Sequence, residues 1–135
     1  MKKCDILIIE DDTDDLEILS EALQESGIDC LHYEDSLSKA FAYLKDITHR
    51  DELPKLIITD FYLRGKTGIE LIAELRKVEA YKDIPVIVLS SQRHQKDIDK
   101  YREMGAAEYL VKPSTYQEYL QMANYLKTKM ETAIK

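Results

Sequence analysis

KLIITD, residues 55–60, is too short for a helix, is apolar at Leu56, Ile57 and Ile58 in succession, and stops on an acid, Asp60. A half-exposed strand alternates apolar and polar residues. An unbroken apolar run fits a strand buried on both faces, as in a parallel sheet. Runs of the same kind stand at CDILII (4–9), CLHY (30–33), IPVIVLS (84–90) and EYLV (108–111).

Between these runs the apolar residues fall at helical spacing. Leu16, Leu19, Ala22 and Leu23 share one face between Asp14 and Ser26, with Gly27 at the C-cap position. Ser36 is placed to cap a helix bearing Leu37, Ala40, Phe41 and Leu44. Thr67 and Glu70 form a capping-box pattern ahead of a helix with Ile69, Leu71, Ile72, Leu75 and Val78. Gln95 to Met104 reads as a shorter, more polar helix closed by Gly105. Thr115 to about Glu131 is the longest, with Tyr116, Tyr119, Leu120, Ala123 and Leu126 three or four apart. KDITHRDELPK, before the third strand, is a polar connection. Strand and helix thus alternate five times. This predicts right-handed crossovers and a parallel sheet covered by helices on both faces. In such sheets ligands bind beyond the carboxyl ends of the strands.

Composition agrees with a single unit over residues 1–135. The chain is 44% apolar and 33% charged, with no internal repeat and no Gly/Ser/Pro-rich linker. A net charge of −7 argues against a nucleic-acid binder, which needs a basic face to neutralise phosphates, and against an anionic membrane surface. No apolar run approaches the roughly 18–20 residues that span a bilayer. The N-terminus turns acidic too soon for a signal peptide, so cytoplasmic residence is expected. Cys4 and Cys30 lack CxxC spacing and read as reduced thiols. His32, His49 and His94 share no spacing and show no carboxylate partner in the sequence, so they read as surface or loop residues. No glycine-rich phosphate loop is present, and EDDTDD lacks the glycine of a calcium loop.

The strand ends carry the chemistry. The first ends in Glu10, Asp11 and Asp12, the third in Asp60, the fourth in Ser90 and Ser91, and the fifth in Lys112 and Pro113. Carboxylates crowded together call for a cation, and hard oxygen ligands with few protein contacts suit Mg²⁺. A central carboxylate can take a phosphoryl group as an acyl phosphate, with a hydroxyl and an ammonium on the phosphoryl oxygens. Asp14 and Asp15 read as solvated acids at a helix start, where they favour the dipole. Asp12 lies between the two groups.

These motifs in this order, IIEDD, LIITD, PVIVLSS and GAAEYLVKP, resemble the response-regulator receiver domain of two-component signalling, similar to the stand-alone chemotaxis-regulator type. The resemblance spans essentially the whole chain. It implies a flavodoxin-like (βα)5 fold, a doubly wound five-stranded parallel sheet in the order 2-1-3-4-5. It implies Asp60 as phosphoacceptor and Mg²⁺ held by Asp11, Asp60 and the Tyr62 backbone carbonyl, with Glu10 acting through water. Lys112 and Ser90 would contact the phosphoryl group. Ser90 and Tyr109 would form the switch pair, and the Lys112–Pro113 bond would be cis. Tyr62 and Gln92 would flank the phosphoryl group, with Tyr62 obstructing the hydrolytic water. The implied partners are a sensor histidine kinase or phosphotransfer protein, and a downstream protein or second copy on the face of the fourth helix, fifth strand and fifth helix. The tyrosines at 101, 109, 116, 119 and 125 suit both packing and such a surface. Arg64 departs from the proline common four residues after the phosphoacceptor, which predicts a changed loop shape and a retained site.

Two other readings compete. A small Mg²⁺-dependent aspartyl-phosphate phosphatase or phosphotransferase would want a second acid at position 62, where Tyr62 stands. A non-phosphorylated interaction module would be expected to have lost the acid pair, Asp60 or Lys112, and all are present. A self-phosphorylating signalling domain, not a turnover enzyme, is the expectation.

Overall fold

The computed structural model describes residues 5–63, 65–91 and 95–133. Strand β1 (Ile6–Ile9), helix α1 (Thr13–Glu25), β2 (Leu31–Glu34) and α2 (Leu37–Asp46) come first. A single 3-10 turn (Arg50–Glu52) interrupts the polar connection, and β3 (Leu56–Asp60) follows. Two short strands, β4 (Tyr62–Leu63) and β5 (Lys66–Thr67), precede α3 (Gly68–Arg76). The chain then forms β6 (Val86–Ser90), α4 (Gln95–Met104), β7 (Glu108–Val111) and α5 (Tyr116–Ala133).

The main sheet runs β2-β1-β3-β6-β7, all parallel, which is the expected order 2-1-3-4-5. Its alternating side chains feed two cores. Leu7, Ile9, Ile57, Val86 and Val88 face α2, α3 and α4, whereas Ile6, Ile8, Leu56, Ile58, Ile87 and Leu89 face α1 and α5. This is why the runs are continuously apolar: successive residues enter opposite cores, and β1 and β3 have helices on both sides.

Several local expectations hold at the level of single hydrogen bonds. Ser36 accepts from the Lys39 amide as the N-cap of α2. Gly27, at φ +105°, ends α1 with the Ile28 amide returning to the Leu23 carbonyl, a left-handed turn that a side chain would strain. Thr115 accepts from the Glu118 amide, and its hydroxyl donates to the Glu118 carboxylate, just ahead of α5.

Others are corrected. Thr67 makes no side-chain cap on α3, because it is paired in β5 and its hydroxyl reaches the Tyr101 phenol instead. Helix α3 stops at Arg76, two residues short of Val78, which is exposed. The Lys112–Pro113 bond is trans, since no cis peptide bond occurs among the described residues. Trans is the intrinsically preferred isomer by about 0.5–1 kcal/mol, and Lys112 reaches the site from it. Cys30 is half-buried and outside any disulfide, while Cys4, Arg64, Gln92 and His94 lie outside the described residues. No helix among the described residues is long and apolar enough to cross a membrane.

Candidate functional site

The site is a product of strand register. Ile9 stands beside Thr59 across β1 and β3, so the next residues along, Glu10 and Asp60, share a row at the carboxyl edge of the sheet. Asp60 in turn stands beside Leu89, one residue before Ser90, and Ser90 stands beside Val111, one residue before Lys112. Chain direction thus diverges at β1 and β3, where a crevice forms in doubly wound sheets.

Glu10, Asp11 and Asp60 each offer a carboxylate oxygen within 4.8 Å of the others. Glu10 is buried, Asp60 half-buried and Asp11 exposed, so the cluster opens to solvent on the Asp11 side. The Asp60 carboxylate is held from behind by the Phe61 amide, which donates to Oδ1 at 2.9 Å. Lys112 Nζ lies 2.9 Å from Glu10 Oε1, 2.7 Å from Asp15 Oδ2 and 3.3 Å from Asp60 Oδ1. Burial first, then the adjacent Asp60 carboxyl, push the Glu10 carboxyl up to about 7, against the lowering effect of Lys112. Burial would lower the Lys112 ammonium, but hydrogen bonds to Asp15 and Glu10 outweigh it and hold the ammonium above its ordinary value. Ser90 is buried at the end of β6. Beside the acids, between α1 and β2, a hollow of about 400 Å³ is lined by Glu10, Asp11, Thr13, Leu16, Tyr33 and Lys39 among others.

The donor set fits a hard divalent cation: three carboxylate oxygens close together, one side open for waters, and no soft ligand among them. Tyr62 sits in β4 at the site's margin with 57% of its surface exposed. Tyr109 is 6% exposed and packs edge-on to the Phe61 ring at 6.2 Å. Asp12 resolves as the N-cap of α1, accepting from the Asp15 amide at 3.0 Å.

Asp15 is the correction here. It does stand in the first turn of α1 beside exposed Asp14, but its partly exposed carboxylate is also paired with Lys112. The available signal was its position four residues after Asp11, on the helix that leaves the same strand end. Phe61 and Tyr101 were likewise missed as site neighbours, because nothing in a sequence says which apolar rings meet across elements. His32 has the carboxylate partner that the sequence did not reveal: Nε2 is 2.6 Å from Glu34, and the ring stacks on Tyr43 at 3.7 Å between centroids. It lies on the edge strand β2. Of the late tyrosines, Tyr101, Tyr109 and Tyr119 are buried and Tyr125 is exposed.

Comparison with known proteins gives one family. The response regulator receiver domain matches residues 6–124. The phosphate regulon transcriptional regulatory protein PhoB of Pseudomonas aeruginosa is 34% identical over 113 residues, 84% of this chain and 47% of that protein. The chain spans about half the length of such curated relatives. Among solved structures, the Mn(2+)-bound form of response regulator Rcp1 is similar at 29% identity, with a TM-score of 0.76 and 91% of each chain covered. The phosphorylated cyanobacterial phytochrome response regulator RcpA is similar at 26% identity, with a TM-score of 0.79 over 93% of this chain and 92% of that one.

Proposed function

This chain belongs to the response regulator receiver domain family, and from that premise we propose that Asp60 accepts a phosphoryl group and thereby changes a protein-binding surface. The family makes it a phospho-signalling module and not a turnover enzyme. The observation that carries the assignment of Asp60 is its place in the centre of the site. It is half-buried, oriented by the Phe61 amide, and flanked by two further carboxylates and the Lys112 ammonium.

The donor is a phosphohistidine on a sensor histidine kinase or phosphotransfer protein. A carboxylate oxygen of Asp60 bonds to phosphorus as the phosphorus–nitrogen bond breaks, and the imidazole departs with that electron pair and takes up a proton. Asp11, Asp60 and the Tyr62 carbonyl, with Glu10 through water, would hold Mg²⁺, which supplies neutralising charge to the phosphoryl oxygens when bound. Lys112 adds a fixed cation beside Asp60, and the Ser90 hydroxyl would donate to a phosphoryl oxygen. Tyr62, two residues after Asp60, sets the exposure of the group to water. Ser90 and Tyr109 pass the change to the α4–β7–α5 face, where exposed Val111 and Tyr125 suit a downstream protein or a second copy of the chain. We read residues 1–135 as one such unit, acting in the cytoplasm.

The test is intact-mass analysis after incubation with Mg²⁺ and a small acyl-phosphate donor. One added phosphoryl group per chain is expected, stable in acid and labile in base, absent with a chelator and absent from Asp60→Asn. No addition, or addition that survives Asp60→Asn, overturns the assignment.

A further inference from the structure

Tyr101, on α4, has no exposed surface. A buried phenol needs a hydrogen-bond partner, and this one finds it outside its own helix: the hydroxyl donates to the Phe61 carbonyl at 3.3 Å. The same carbonyl accepts from the Gly68 amide at 3.0 Å, where α3 begins. On its other side, the Phe61 amide donates to Asp60 Oδ1 at 2.9 Å and to the Leu89 carbonyl at 2.8 Å. Only the backbone of Phe61 therefore separates the Tyr101 hydroxyl from the Asp60 carboxylate.

The ring is fixed as firmly as the hydroxyl. It packs at 5.5 Å against Phe61 and at 5.5 Å against Tyr109, so α4, the loop after β3 and β7 share one aromatic cluster. Gly68 provides the opening. A Cβ there would stand 3.3 Å from both the Tyr101 ring and its hydroxyl, and 3.3 Å from Thr59. Burial pushes the Tyr101 phenol up to about 12, opposed in part by the Ile69 amide, the Thr67 hydroxyl and the Gly68 amide. The hydroxyl is thus seated at the N-terminus of α3 as well as on Phe61.

We propose that Tyr101 is a positioning residue that ties α4 to the Asp60–Phe61 backbone, so that a change at Asp60 reaches the α4 surface through this hydroxyl and not through ring packing alone. The proposal rests on the phosphoacceptor reading above. It adds to the Ser90–Tyr109 pair a second connection, one that a sequence comparison of the site motifs does not contain. Its physical basis is directionality: ring contacts permit sliding, whereas a hydrogen bond to a backbone carbonyl constrains both partners in distance and angle.

The experiment uses the full chain, Mg²⁺ and a small acyl-phosphate donor, and reads amide hydrogen exchange along residues 95–104 by mass spectrometry. Wild type is compared with Tyr101→Phe, which keeps the ring, and with Gly68→Ala, which presses on it. Exchange changes are normalised to the fraction of chains labelled. Phosphorylation is expected to alter exchange in α4 of wild type, and the normalised change is expected to fall at least threefold in Tyr101→Phe and in Gly68→Ala. A merely structural role would shift basal exchange and leave the phosphorylation-dependent change intact. A labelled wild type whose α4 response equals that of Tyr101→Phe overturns the role of Tyr101 alone. A wild type that takes no label overturns the phosphoacceptor reading, and this inference with it.

Discussion

Lys112 and Asp15 are joined by a 2.7 Å ion pair although 97 positions separate them in the chain. The pair places a helix-start acid inside the electrostatics of the site. Lys112 is mostly buried, so its removal leaves Glu10 and Asp60 facing each other without a counter-charge. Glu10 can then take up a proton, which limits the loss. Lys112→Ala is expected to lower stability in chelator-treated buffer by about 2 kcal/mol, and Asp15→Asn by about 0.5–1 kcal/mol because Asp15 is partly exposed. Urea unfolding checks both. Added Mg²⁺ should restore stability more in Lys112→Ala than in wild type, since no ammonium then competes for the carboxylates.

A second prediction concerns pH at the far edge of the sheet. Burial acts to raise the Glu108 carboxyl, but hydrogen bonds from Lys129, at 2.6 Å, and from Tyr125 outweigh it and leave the group below its ordinary 4.5. The unfolded state then binds the proton more tightly than the folded one. The stabilisation is therefore fully present above the ordinary glutamate range and is lost as pH falls through the lowered value. Wild type should exceed Glu108→Gln in urea midpoint at neutral pH by a margin worth less than about 1 kcal/mol. That margin should close as pH falls below the ordinary glutamate range. A margin independent of pH would contradict the assignment.

Arg76 holds together three backbone segments around the end of α3. Its guanidinium donates to the carbonyls of Lys82 at 2.8 Å, Ile84 at 3.2 Å and Gly105 at 2.9 Å, joining the end of α3 to the turn after α4. Arg76→Ala should cost about 1–3 kcal/mol in unfolding free energy. Arg76→Lys should recover less than half of it, because an ammonium cannot reproduce the planar fork.

The strand ends were legible because both signals were local: an unbroken apolar run and the polar residue that stops it. Asp60, Glu10, Asp11 and Lys112 could be placed together once alternation implied a parallel sheet. What escaped depended on contacts across elements. The hairpin of β4 and β5 has two residues per strand, too few for any periodicity. Asp15 looked like a helix-start acid and is one, but the sequence cannot show that α1 aims it at Lys112. Thr67 followed by Glu70 satisfied the letter of a capping box, and tertiary pairing redirected the hydroxyl. Tyr101 read as a helix-face residue, which is true of its ring and silent about its hydroxyl.

Tyr62, two residues after Asp60 and 57% exposed, is expected to slow attack of water on the aspartyl phosphate. Tyr62→Ala should shorten the half-life of the labelled chain severalfold at constant Mg²⁺. Decay after removal of the donor measures this, and an unchanged rate would remove Tyr62 from the account.

The most direct measurement traps the phosphorylated residue itself. Borohydride reduces an acyl phosphate on aspartate to homoserine, which peptide mass spectrometry locates by position. After treatment with Mg²⁺ and an acyl-phosphate donor, homoserine should be found at position 60, with none when either reagent is withheld. Homoserine at another acid, or at none while wild type remains folded, would contradict the assignment of Asp60.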